Sequence, residues 1–142
     1  MSPEIVHDNP LKKLRVVQAL LLLTIPFYVY GGEVLGPAKP KDIKGIGLFL
    51  AVLAAFNIWY VLSRGRRAVA KASDILRSRS DDALAMRRWY GANVVSLTSS
   101  EALALYGLIL RIFGGTLLQA VPFYACALLL LLISTPRRMQ PL

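Results

Sequence analysis

Cysteine, histidine and acidic residues are scarce in this chain. It contains one cysteine, Cys126, one histidine, His7, and 8 Asp and Glu residues against 17 Lys and Arg residues. A single cysteine excludes an intramolecular disulfide. With one histidine in a polar N-terminal stretch, a Ser-His-Asp triad and the usual zinc and haem ligand sets have no support. We therefore predict no catalytic residue, no metal site and no cofactor, and we expect the protein not to be an enzyme.

Apolar residues, in contrast, are abundant. They make up 56% of the 142 residues, and the mean hydropathy is +0.53, whereas a soluble domain has roughly 45–50% apolar residues. They also fall in four long blocks instead of the scattered periods of a water-soluble helix. This pattern predicts an all-α fold: an integral membrane bundle of four transmembrane helices, forming a single membrane domain.

The four predicted spans are separated by polar segments of unequal length. The spans cover residues 14–31, 45–63, 89–113 and 116–134. The first resembles a signal peptide, but no small-residue cleavage pattern follows it, so we expect it to be retained. Residues 64–88 carry too many charges for hydrocarbon and few helix breakers. They predict a cytoplasmic helical hairpin that continues the second helix, with Ser80 as the N-cap of the third.

The basic residues are distributed unevenly about these spans. Of the 17 Lys and Arg residues, only Lys39, Lys41, Lys44 and Arg111 lie on the side opposite the hairpin. The positive-inside rule then places the hairpin and both termini in the cytoplasm, as expected for a multi-pass protein of a cell membrane, such as a bacterial inner membrane. Topology and anionic lipids account for the net charge of +9, so we expect no nucleic-acid partner.

The basic hairpin is the predicted contact with membrane lipids. Its ends carry aromatic residues, Trp59 before it and Trp89 after it, which are typical of the membrane interface. An acidic protein partner is the alternative. The residues predicted to contact lipid headgroups are Arg64, Arg66, Arg67, Lys71, Arg87 and Arg88.

Small side chains recur every four residues in two of the spans. Small residues at this spacing allow two helix backbones to approach closely. We expect the two ridges to pack against each other within the chain, and an interface between chains is the alternative. The ridges consist of Gly47, Ala51 and Ala55 in the second span, and Ala92, Ser96, Ser100 and Ala104 in the third.

Glu101 is the most informative single residue. It lies about twelve residues beyond Trp89 and therefore near the middle of the third span. A carboxylate at the centre of a bilayer costs roughly 2.5–3.5 kcal/mol, so the group should be neutral or well partnered. One hypothesis is that it joins helices by hydrogen bonds. The other is an ion-binding site formed by Glu101 with Ser100, Tyr106 and Asn57.

The sequence around Glu101 resembles a known family. Residues 97–110 read LTSSEALALYGLIL, and this stretch, about one tenth of the chain, is similar to the carboxylate-bearing helix of the proteolipid subunit c of rotary ATP synthases. In that family the glutamate binds the transported ion, and the Tyr-Gly pair belongs to the same helix. The resemblance implies that Glu101 binds a proton or sodium ion in an oligomer.

Two functions thus remain open at this point. One is a small accessory or scaffold subunit, which packs against other membrane proteins or against copies of itself. The other is a proton- or sodium-binding, proteolipid-like oligomer that uses Glu101.

Overall fold

A computed structural model describes residues 9–79 and 82–135 of the chain. Within these ranges every regular element is helical and none is a strand, so the all-α prediction is confirmed there. The helices are α1 (Pro10–Leu35), α2 (Lys44–Tyr60), a π-helical turn (Val61–Gly65), α3 (Arg66–Ser78), α4 (Ala83–Ile112) and α5 (Leu117–Ile133).

Three continuous helical segments are long and apolar enough to cross a membrane. They are Pro10–Leu35, Lys44–Ser78 and Ala83–Ile112. The remaining apolar helix, Leu117–Ile133, has 17 residues.

The second segment runs on as a helix from α2 through the π-helical turn into α3, and spans 35 residues. The turn lies where apolar residues give way to arginines. Its last residue, Gly65, is buried against α4: a side chain at this position would come within 2.6 Å of Ser96 Oγ. Glycine at position 65 therefore allows the two helices to cross closely.

Helix α4 is the centre of the bundle and packs against α1, α2, α3 and α5. Its Leu97, Leu103 and Ala104 have no exposed surface, and neither has Leu14 of α1 or Leu131 of α5. Buried leucines of this kind make many close van der Waals contacts, which stabilise helix packing in lipid as well as in water. The core therefore follows α4 from end to end.

The N-termini of α1, α4 and α5 are capped by polar side chains. Asn9 Oδ1 accepts a hydrogen bond from Leu11 N, and Thr116 and Gln119 form a reciprocal capping box on α5. At α4 the cap is Asp82, whose Oδ1 accepts hydrogen bonds from the backbone N–H groups of Leu84 and Ala85, the second and third residues of the helix. Ser80 was the predicted cap and lies outside the described residues. Asp82 takes the role because its backbone is extended immediately before the helix.

Hydrogen bonds at the two ends of the bundle define the relative topology. At one end, Gln18 Nε2 of α1 donates to the Leu131 carbonyl of α5 at 2.7 Å and to Thr135 Oγ1 at 2.9 Å. At the other end, Lys41 N donates to the Gly114 carbonyl at 3.1 Å. The first and last described residues thus lie at the same end, and so does α3, which lines a cavity together with residues 133–135.

The predicted seam of small residues differs from the observed packing on α2. On α4, Ser96, Ser100 and Ala104 are buried and Ala92 is half-buried, whereas Ala51 and Ala55 of α2 are exposed. Gly47 is half-buried, with Leu110 Cδ1 3.8 Å from where a side chain would begin. The residues that α2 buries are Leu50 and Ala54.

The expected contact of Ala51 and Ala55 with α4 is therefore wrong. The physical reason is packing, because an inward-facing Leu50 makes more close van der Waals contacts with its neighbours than an alanine methyl can. The side chains of Ala51 and Ala55 are exposed, and Gly47 and Ala51 line an open groove beside Leu110 of α4 and Phe123 of α5.

The two tryptophans also occupy different environments. Trp59 is 55% exposed, as expected for an interfacial residue, but Trp89 is only 2% exposed. Trp89 is enclosed because α4 continues beyond the apolar region and α3 packs along that extension. It is a core residue, so the prediction of two matching aromatic anchors is wrong at this position.

Candidate functional site

The candidate site is the carboxyl group of Glu101, where α1 packs against α4. Two hydroxyl groups of α1, one helical turn apart, reach the same carboxyl oxygen. Thr24 Oγ1 lies 2.9 Å from Glu101 Oε1, and the Tyr28 hydroxyl donates to Oε1 at 2.8 Å. The residues that partner Glu101 are therefore Thr24 and Tyr28, which the sequence did not single out.

The hydrogens in this cluster are limited in number. Thr24 Oγ1 also lies 2.6 Å from the Leu21 carbonyl oxygen, and a hydroxyl has one hydrogen to donate. With an ionised carboxylate, Thr24 donates to Glu101 and gives up the bond to Leu21. With a protonated carboxyl, Oε1 donates to Thr24, which donates to Leu21, and all the contacts are satisfied at once. The geometry thus accommodates both protonation states of Glu101.

The second carboxyl oxygen of Glu101, Oε2, lies apart from the hydroxyl groups of Thr24 and Tyr28 that contact Oε1. Both contacts are made by Oε1, and within residues 9–79 and 82–135 no hydrogen bond to Oε2 is found. Glu101 is half-buried, and Thr98 and Leu105, one turn away on either side, are exposed. The carboxyl group therefore lies at the edge of the α1–α4 contact, next to the outer surface of α4.

The other residues of the predicted ion-binding set do not join Glu101. Ser100 is fully buried, and its hydroxyl donates to the Ser96 carbonyl at 2.7 Å. Asn57 Nδ2 of α2 donates to the Tyr106 hydroxyl at 3.3 Å. Five residues separate Tyr106 from Glu101, which is about 140° around a helix. The expected cluster of Glu101, Ser100, Tyr106 and Asn57 is therefore wrong, because α4 presents these side chains to different neighbours.

Gly107, the glycine of the Tyr-Gly pair, has a packing role. The ring of Tyr124 from α5 lies against it, and a side chain at position 107 would come within 2.8 Å of Tyr124 Cε1. The tyrosine hydroxyl lies 3.5 Å from the Tyr28 carbonyl oxygen of α1. This glycine therefore allows α5 to approach α4 closely at the level of the α1 hydroxyl groups.

Arg111 forms a second polar contact between α1 and α4, nearer the end of the bundle. Its Nη2 lies 2.8 Å from Glu33 Oε1, and its side chain is 13% exposed, compared with 47% for Glu33. Nη1 donates to the Gly115 carbonyl. The arginine stem lies beside Gly32, where a side chain would come within 3.1 Å of Arg111 Cβ. The missing side chain of Gly32 leaves room for the arginine inside the bundle.

The residues predicted to contact lipid headgroups lie in the π-helical turn, in α3 and in the first two turns of α4. Arg64 belongs to the π-helical turn, Arg66, Arg67 and Lys71 to α3, and Arg87 and Arg88 to α4. All six side chains are exposed. They form a basic surface at the end of the bundle that also carries the first and last described residues.

No group of three His, Cys, Asp or Glu side chains close enough to hold a metal ion occurs in the described part of the chain. The chain was also compared with known proteins. No protein-family model, no curated protein and no solved structure matches it. The resemblance of residues 97–110 to proteolipid subunit c stays a prediction from the sequence.

Proposed function

We propose that this chain is a four-span membrane protein and a non-enzymatic accessory or scaffold subunit, which docks against another membrane helix at the face of α4 around Glu101. Its exterior supports a bilayer location, since large apolar side chains are exposed along the helices, among them Leu20, Phe27, Phe49, Phe56, Leu118 and Leu129. Helix α5, with 17 residues, is at the short end of the roughly 17–25 residues that cross a bilayer. It forms the fourth span in this proposal.

The orientation follows from the basic surface. The exposed arginines of α3 and of the start of α4 lie at the same end as the first and last described residues. Basic residues are retained on the cytoplasmic side of a membrane, where anionic lipids attract them. We place this end, with both termini, in the cytoplasm of a cell such as a bacterium.

The observation that carries the docking proposal is the half-satisfied carboxyl group. Oε1 of Glu101 is engaged by Thr24 and Tyr28, whereas Oε2 is left beside the apolar outer face of α4. An unsatisfied polar group in hydrocarbon costs several kcal/mol. A donor from a neighbouring helix removes that cost, and polar side chains commonly join membrane helices in this way. The exposed Ala51 and Ala55 give the same partner, or a second one, a close contact with α2.

Site-directed photocrosslinking in the native membrane tests this proposal. A crosslinking residue at Thr98, one turn from Glu101, should give an adduct of one defined mass above the monomer. The same residue at Leu129, exposed on α5, is the matched control and should give none. Glu101→Gln keeps a hydrogen-bonding group and should keep the adduct, whereas Glu101→Leu should abolish it.

Two results would contradict docking at this face. One is an adduct pattern that is the same at Thr98 and Leu129. The other is a Thr98 adduct that survives Glu101→Leu while the protein stays folded by circular dichroism. Either would show that the carboxyl group acts only between α1 and α4.

A second candidate function, proton binding by an oligomer, is favoured by the hydrogen count at Thr24. When Glu101 gains a proton on Oε1, the Thr24 hydrogen turns from Glu101 to the Leu21 carbonyl, so that no contact is lost. This function makes the opposite prediction for Glu101→Gln. Proton flux through reconstituted vesicles, and labelling of Glu101 by a carbodiimide, should both disappear in this variant although assembly persists. Assembly without flux in the unsubstituted protein supports the scaffold function.

A further inference from the structure

A cavity of about 350 Å³ opens at the basic end of the bundle. One wall is α3, the floor is formed by Trp89 and Asn93 of α4, and the opposite wall is the end of α5 with residues 133–135. Its volume falls within the roughly 300–1,000 Å³ typical of small-molecule sites. Glu101 does not line it: the nearest lining residue of α4, Ser96, lies about 7.5 Å of helical rise before Glu101.

Helix α3 has one face packed on α4 and an adjacent face that lines the cavity. Ala72 and Leu76 form the buried face, and through it α3 packs along α4. The adjacent face carries Arg66, Ser73 and Arg77, seven and four residues apart, which places them on one side of the helix. This polar face looks across the open space toward α5.

The side chains around the cavity are mainly hydrogen-bond donors. Arg66 and Arg77 are exposed, and neither forms an ion pair with another described residue. Asn93 is 4% exposed, and its Nδ2 donates one hydrogen to the Trp89 carbonyl at 2.8 Å. An amide nitrogen has two hydrogens, so the second is available to a ligand. Ser73 and Ser134 add hydroxyl groups.

One wall residue has the opposite charge. Asp74 lines the cavity between the two arginines in sequence, so the charged groups of the lining sum to one positive charge. A carboxylate repels an anion but accepts hydrogen bonds from hydroxyl groups. The lining therefore suits a ligand with one negative charge that also carries hydroxyl groups.

We infer that this cavity binds the phosphate of an anionic glycerophospholipid, with Arg66 and Arg77 on the phosphate and Asp74 on a headgroup hydroxyl. Arginine forms paired, charge-assisted hydrogen bonds with phosphate oxygens. The apolar side chains of Ile133 and Val69 also line the cavity. The inference rests on the membrane-spanning proposal but is independent of docking at Glu101.

Trp89 provides a direct probe of binding, since it lines the cavity and the chain has only 2 tryptophans. In full-length Trp59→Phe protein in detergent, phosphatidylglycerol should change the Trp89 fluorescence to saturation, whereas phosphatidylcholine should not.

Arg66→Gln and Arg77→Gln should each weaken phosphatidylglycerol binding about tenfold, because each removes charged hydrogen bonds. Arg79→Gln is the matched control, since Arg79 is exposed beyond the end of α3 and does not line the cavity; its binding should be unchanged.

Ser73→Leu separates occlusion from loss of charge. It keeps both arginines but places a larger side chain in the cavity, so binding should be lost while circular dichroism in phosphatidylcholine stays the same. Equal binding by Arg77→Gln and Arg79→Gln would overturn the site. Saturation by inorganic phosphate at the same concentration as by phosphatidylglycerol would overturn the lipid assignment and leave a site for free phosphate. Extraction of the protein from membranes by alkaline carbonate would instead contradict the membrane-spanning proposal.

Discussion

At the scale of single residues, glycines decide how closely the helices approach. Gly107 and Gly91 both lie in the interior of α4, but a side chain at Gly107 would meet the Tyr124 ring, whereas one at Gly91 would have no neighbour within 4 Å. The sequence does not distinguish the two glycines, since both stand inside the same long helix. Their roles differ only through what α5 places beside them.

This difference gives a matched pair of substitutions. Gly91→Ala should stabilise the protein by up to about 1 kcal/mol, because alanine favours the helix over glycine by that amount. Gly107→Ala should destabilise it by about 1–3 kcal/mol, because the new methyl group must displace the Tyr124 ring. Thermal unfolding in one detergent measures both. Equal melting temperatures would mean that Tyr124 moves aside freely and that the α4–α5 contact is looser than described.

The polar residues of the spans follow the same principle. Thr24, Tyr28 and Glu101 come together because α1 lies beside one face of α4, while Asn57 and Tyr106 meet on the side of α2. Each of these five polar side chains has a hydrogen-bond partner on a neighbouring helix. Sequence position alone does not indicate which helix that is.

At the scale of helices, α2 and α4 make unequal use of their small residues. Ser100 is fully buried on α4, but Ala51 on α2 is exposed. The ridge of α4 is therefore part of the core, whereas Ala51 and Ala55 of the α2 ridge are exposed at the surface of the described chain. A bulky side chain has different consequences on the two ridges.

Ser100→Leu should destabilise the isolated protein by about 1–3 kcal/mol through overpacking. Ala51→Leu should change the melting temperature little, and so should Leu128→Ala, because Leu128 is 43% exposed. Unfolding in detergent measures all three. If Ala51→Leu were as damaging as Ser100→Leu, α2 would be turned toward α4 as the repeat of small residues first suggested.

At the scale of the whole molecule, the protein consists of an apolar helix bundle and a basic extension at one end of it. The extension is formed by α3, which continues α2, and by the start of α4. Within the described residues, the start of α1, the end of α5 and the whole of α3 lie on the basic side. The loop between α1 and α2 lies on the other, where Lys41 N bonds to the Gly114 carbonyl. The bundle therefore presents two ends of different chemistry.

Cysteine accessibility tests which end faces the cytoplasm. In a Cys126→Ser background, Ser78→Cys at the end of α3 and Ala38→Cys in the α1–α2 loop should react with a membrane-impermeant maleimide from opposite sides. Both residues are exposed, so neither should be shielded by the fold. Reaction of Ser78→Cys from outside intact cells would reverse the orientation, and reaction of both from one side would contradict a bundle that crosses the membrane.

The helices and their relative order could be predicted from the amino-acid sequence because they depend on local properties. Long apolar runs, flanking arginines and the near absence of helix breakers between residues 64 and 79 act within one segment, so each helix carries its own signal. The continuation of α2 into α3 and the central place of Glu101 in α4 follow from such signals.

The partners of each side chain depended on the tertiary structure. The rotation of each helix about its axis decides which face of α2 turns inward and why Trp89 is buried. It also decides why Glu101 meets Thr24 and Tyr28 and not Ser100, Tyr106 and Asn57. That rotation minimises exposed polar groups and voids over all the helices together. A repeat of small residues or a lone carboxylate is compatible with several rotations, and only packing against α1, α3 and α5 selects one.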